Sequence, residues 1–115
     1  MFGTIKNKLG ETLDYTFHEG SANCRDLLLI GHGVTGNKDR PFVVALADAV
    51  SASGINVIRF SFAGNGDSGG EFRECTISKE VDDLQAVLSG VEEKKYRAIY
   101  AGHSMGGAVG VLAAA

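Results

Sequence analysis

The pentapeptide Gly102-His103-Ser104-Met105-Gly106 stands between an apolar run, Ala98-Ile99-Tyr100-Ala101, and a glycine-, alanine- and valine-rich segment that continues to Ala115. Few local structures accept that order. A strand must turn sharply into a helix, with the two backbones so close that side chains at Gly102 and Gly106 would collide. The serine between them is then held in a strained turn conformation. Its hydroxyl is lifted out of the sheet, and the free N–H groups and positive end of the next helix point at whatever it meets.

The rest of the chain supplies the sheet and helices that such a turn needs. Residues 2–7 and 12–18 have strand character around the turn at 7–11 and read as a hairpin. Leu27-Leu28-Leu29-Ile30 is a continuous apolar run, as in a strand buried on both faces. A helix is expected from about Arg40 to Ser53, with Pro41 in its first turn and Phe42, Leu46, Ala49 and Val50 on one face. Residues 55–60 form the next strand, and a glycine-rich loop runs to about Thr76. Ile77, Val81, Leu84, Leu88 and Val91 then recur at helical spacing. The order β-β-β-α-β-α-β-α implies a mostly parallel sheet with an N-terminal antiparallel hairpin and helices on both faces, an α/β fold, with 1–115 belonging to a single domain and no boundary within it.

Composition removes several alternatives. A formal net charge of −3 gives a nucleic-acid partner no electrostatic support. The two cysteines, Cys24 and Cys75, lack C-x-x-C spacing, and no His/Cys cluster suggests a metal, so neither a metal nor a cofactor is expected. The N-terminal residues lack the apolar stretch of a secretory signal, and no run approaches the roughly 18 apolar residues of a membrane helix. A soluble cytoplasmic protein without a membrane partner is the expectation.

Two other glycine motifs compete with the one at Ser104. Gly66-Asp67-Ser68-Gly69-Gly70 reproduces the nucleophile loop of double-barrel serine proteases, but strand–helix alternation does not build that fold. Gly64-Asn65-Gly66-Asp67-Ser68-Gly69 fits G-x-G-x-x-G, yet the helix that should start within it begins only near Thr76, too late to hold a pyrophosphate. Ser104 is therefore the candidate nucleophile. Its partner site is His32-Gly33-Val34, in the turn after the buried strand. A carbonyl becoming an oxyanion needs two fixed N–H donors, each costing about 3–4 kcal/mol of barrier when removed. The candidates are the backbone N–H groups of Val34 and Met105. Asp67 is expected to scaffold its loop, His32 to support its own, and His103 to point away from Ser104.

With three blocks in order, 32–38, 59–72 and 102–107, the chain resembles the α/β-hydrolase superfamily, and within it the serine aminopeptidase-like and cinnamoyl (feruloyl) esterase-like branch. Ser61 and Ala63 replace an Asp and a common Arg of the family's middle block. The resemblance implies acyl transfer from a small-molecule ester or amide through an acyl-enzyme on Ser104. It also implies a triad acid and histidine located after the nucleophile. Only eleven residues follow Ser104, and none is Asp, Glu or His. The expectation is thus the N-terminal half of a hydrolase, truncated after the elbow and inactive alone. Its last strand would be an open edge available for self-association or for pairing with another chain.

Overall fold

Leucine and isoleucine at four successive positions give the chain its central strand, because each face of the sheet then receives an apolar side chain. In the computed structural model, which describes residues 2–33 and 35–114, this strand is β4 (Asp26–Gly31). Before it come β1 (Ile5–Lys6), β2 (Thr12–Leu13) and β3 (Tyr15–His18). After it come α1 (Pro41–Ala52), β5 (Asn56–Phe60), α2 (Ile77–Glu93), β6 (Arg97–Gly102) and α3 (Met105–Ala114). A single 3-10 turn, Phe72–Glu74, precedes α2.

The main sheet has the order β3-β5-β4-β6, with β4 parallel to both β5 and β6 and β3 antiparallel to β5. From β4 the chain steps one way to β5 and then back past β4 to β6. With right-handed crossovers, steps in opposite directions put their helices on opposite faces. Accordingly Leu27, Leu29, Ile58 and Phe60 pack with Leu84, Val87, Val91 and Val109 of α2 and α3. Ile30 and Val57 pack with Val43 and Ala47 of α1 on the other face.

The N-terminal segment departs from a simple hairpin. Only Ile5–Lys6 and Thr12–Leu13 pair as one, in a separate two-stranded ladder. At Asp14 the chain changes partner: its N–H donates to Ser68 Oγ and its carbonyl accepts from Ser61 N–H. The remainder, β3, joins the edge of the main sheet.

The buried face of α1 also differs from the expected one. Val43 and Ala47 are buried, with Val50 packed beside them, while Phe42 and Leu46 stay 48% and 38% exposed. The helix is apolar on almost every side, so its sequence marks no unique inner stripe, and sheet geometry chooses the smaller residues. In α2 the stripe is shifted rather than missed. Leu84 and Val91 are buried as expected and Val81 and Leu88 partly so, but Ile77 is exposed and Val87, Glu80 and Asp83 are inside.

Candidate active site

The turn between β6 and α3 has the geometry its glycines predict. Ser104 sits at φ 55°, a region that side chains other than glycine rarely occupy. A Cβ on Gly102 would run into the backbone carbonyl of Gly106, and one on Gly106 would lie 2.6 Å from Gly31 O and 2.7 Å from His32 O. The turn is pinned by His103 N–H donating to Gly31 O (3.0 Å) and Gly106 N–H donating to His103 O (2.9 Å). The start of α3 is thus pressed onto the end of β4, and the loop leaving β4 is brought to the serine. A Cβ on Gly33 would lie 3.3 Å from Ser104 Cβ.

Two clefts flank this turn. The first, about 340 Å³, is bordered by Ser104, His103, Gly33, Arg40 and Phe42. The second, about 270 Å³, is bordered by Met105, Phe72, Arg73, Cys75 and Glu80. Thr35 lines both. Ser104 is exposed, and Met105 opens α3 with an N–H that makes no hydrogen bond among the described residues, as first-turn N–H groups do. Val34, the other expected donor, lies outside the described residues.

The histidines take different parts. His32 is buried; its Nε2 accepts from Phe62 N–H (3.0 Å) and its Nδ1 lies 2.7 Å from Gly33 O. Only the neutral Nδ1–H tautomer satisfies both contacts, and burial lowers its pKa below the usual imidazole value. His32 therefore supports its loop, as expected. His103 borders the same cleft as Ser104, with its ring 4.8 Å from that of Phe42. His18, on β3, accepts through its Nε2 from Arg59 Nε of β5 (2.9 Å). Among the described residues, no hydrogen bond joins Ser104 Oγ to an imidazole or a carboxylate.

The glycine-rich loop after β5 is held by residues other than the expected one. Asp67 is exposed and makes no bond among the described residues. Ser68 is the scaffold: its Oγ donates to Ser61 O (2.6 Å) and accepts from Asp14 N–H (2.7 Å). Ser61 in turn accepts from Lys38 N–H through its Oγ. Asp83 was not singled out by the sequence, yet it anchors the same loop from α2, taking Ala63 N–H (2.9 Å) and Asn7 Nδ2 (2.8 Å). Burial raises its pKa, while the bonds from Asn7 and Ala63 work the other way. Glu80 is pushed up to about 7 by burial and by the nearby Asp83. A signal for both acids existed: the stripe of Val91, Val87 and Leu84, continued toward the helix N-terminus, arrives at Glu80 and passes beside Asp83.

With this geometry in place, likeness to known proteins becomes informative. The family model described as serine aminopeptidase, S33, matches residues 22–115. The chain therefore belongs to that family of α/β hydrolases. No curated protein matches it in sequence. Among solved structures, Est1E from Butyrivibrio proteoclasticus, determined with ferulic acid bound, is 28% identical with a TM-score of 0.87. The match covers 96% of this chain and 46% of Est1E. XC6422 from Xanthomonas campestris, described as an α/β serine hydrolase without a lid, is 28% identical with a TM-score of 0.82, over 96% and 53% of the two chains. The esterase Pf2001 from Pyrococcus furiosus is 25% identical with a TM-score of 0.81, over 95% and 43%. The chain thus spans about half the length of these enzymes. No helix among its described residues is long and apolar enough to cross a membrane.

Proposed function

We propose that Ser104 is the nucleophile of an acyl-transfer reaction on small carboxylic esters. The supporting observation is a serine at φ 55° at a strand–helix turn, exposed at the wall of a cleft and pressed against the loop that carries Gly33. In this reading Ser104 Oγ attacks the carbonyl carbon and the carbonyl π electrons move onto oxygen. The N–H groups of Met105 and Val34 hold that oxyanion. Collapse then expels the alcohol and leaves an acyl-serine for water to cleave. The hydroxyl proton needs a base that none of the described histidines supplies, so an imidazole and a carboxylate come from polypeptide beyond these 115 residues. The chain alone then turns over little or no substrate. An amide in place of the ester would follow the same steps.

The test uses the chain as it is. Free imidazole at tens of millimolar should raise the acetylation of Ser104 by p-nitrophenyl acetate, read by mass spectrometry of the intact chain and its peptides. Ser104→Ala should show no modification at this site. Acetylation spread over lysines, with Ser104 unmodified in a folded sample, would overturn the assignment.

A second reading, non-catalytic pairing through the sheet edge, is favoured by β6. Among the described residues this strand pairs only with β4, and beside it Ile99, Val111 and Leu112 are 47%, 73% and 53% exposed. An unpaired edge flanked by apolar side chains invites another strand. Sedimentation should then show association at micromolar concentration that Ile99→Lys weakens. A clean monomer would dismiss it.

A further inference from the structure

Glu80 is a carboxyl that the fold buries and leaves without a partner. It is 6% exposed, and its carboxyl makes no hydrogen bond or ion pair with any described residue. None of its oxygens is sealed off without a partner, and Glu80 borders the second cleft. Asp83, one turn further along α2, is fully buried and takes only neutral donors, Asn7 Nδ2 and Ala63 N–H. The nearby cations are engaged elsewhere: Lys79 Nζ lies 3.0 Å from Glu11 Oε1, and Arg73 Nε 2.8 Å from Glu71 Oε2. Two carboxyls thus share a low-dielectric region with no cation in contact with either, Lys79 acting on Asp83 only from a distance. A buried charge is normally paired. Here the missing partner has a cavity to occupy.

We propose that the second cleft is a binding subsite for a small organic cation, an ammonium group on an apolar body about one ring in size, with Glu80 as its counter-ion. Phe72 and Met105 provide the apolar walls, and about 270 Å³ accommodates one ring with its substituent. The donor set argues for an organic cation over a metal ion, because no three His, Cys, Asp or Glu side chains among the described residues converge as a metal site requires. The subsite adjoins the turn: Met105 follows Ser104, and Thr35 borders both clefts. It extends the acyl-transfer reading by placing a cationic substituent beside the reacting carbonyl, but the binding it describes needs no turnover, so the two stand or fall separately.

Binding should follow the ionisation of Glu80. The titratable groups that face it are Asp83 on its own helix, Cys75 in the preceding loop, Tyr100 on β6 and Arg73 across the cleft. The packed helix α3 carries none. Burial raises the pKa of both Cys75 and Tyr100, so these two stay neutral over the range that matters.

The probe is benzylammonium chloride, titrated into the 15N-labelled chain, with benzyl alcohol as its neutral counterpart. Benzylammonium should shift the amides of Cys75, Thr76 and Met105, bind about tenfold more tightly at pH 8 than at pH 6, and outcompete the alcohol. Glu80→Gln should abolish both the preference and its pH dependence. Equal binding of ammonium and alcohol, a preference retained in Glu80→Gln, or shifts confined to other surfaces would each overturn the proposal. Should Glu80→Gln fail to fold, the wild-type comparison of the two probes at two pH values decides the matter alone.

Discussion

His32 Nε2 accepts a hydrogen bond from the backbone N–H of Phe62, so one imidazole ties the loop after β4 to the loop after β5. Both residues are buried, and the other ring nitrogen is occupied by Gly33 O. Replacing His32 by Ala strands the Phe62 N–H and should cost about 2–3 kcal/mol in chemical denaturation. The pH dependence has a definite sign. A histidine whose pKa is lowered by folding binds fewer protons in the native state, so its contribution is complete above its ordinary value of 6.5 and fades as pH falls below it. The slope of stability between pH 5 and 7 should therefore drop in His32→Gln.

The close backbone approach at the turn makes Gly102 and Gly106 intolerant. Gly102→Ala puts a methyl onto the Gly106 carbonyl, and Gly106→Ala puts one against Gly31 O and His32 O. Backbone cannot yield as a side-chain tip would. Each should lower stability by about 3 kcal/mol or more, measured by urea unfolding. Ser104→Gly, by contrast, relieves a strained φ and should unfold no earlier than wild type while losing acetylation at this position.

Asp83 gives a third expectation. Its carboxylate holds Ala63 N–H and Asn7 Nδ2 with complete burial. Asp83→Ala leaves the buried Ala63 N–H without a partner and removes one of the two bonds of Asn7 Nδ2, and should cost about 3 kcal/mol. The loop from Gly64 to Gly70 should loosen first, visible as faster amide exchange there than in β4.

The central strand, the alternation and the turn at Ser104 were legible because each is a local signal: an apolar run, a period, two glycines around a serine. What escaped was set by neighbours distant in sequence. Which stripe of α1 faces the sheet depends on the room above Ile30 and Val57, and a helix apolar on almost every side, with Asp48 its one charge between Phe42 and Val50, carries little mark of it. The break at Asp14 depends on Ser61 and Ser68, more than forty residues away. In the glycine-rich loop, Asp67 was the conspicuous polar residue, but the short Ser68 hydroxyl reaches two backbones and Asp67 none. The acids of α2 drew no expectation from the sequence, although the continuation of the Val91, Val87, Leu84 stripe pointed to Glu80.

Glu80 and His32 should pull the pH profile in opposite directions. Glu80 has a folded pKa of about 7 against an ordinary 4.5, so the native state holds a proton that the unfolded chain releases. Stability then falls as pH rises from 4.5 through 7, and the loss is complete above it. Glu80→Gln keeps the shape without the charge. It should leave stability nearly unchanged near pH 4.5 and raise it at pH 8 by about 3 kcal/mol, read from urea midpoints at the two pH values. The His32 slope has the opposite sign over pH 5–7, so the two groups offset one another in the wild-type profile. Relative to wild type, the slope of stability with pH should be more positive in Glu80→Gln and less positive in His32→Gln. Parallel profiles for the two variants would mean that one of these groups does not titrate as its surroundings require.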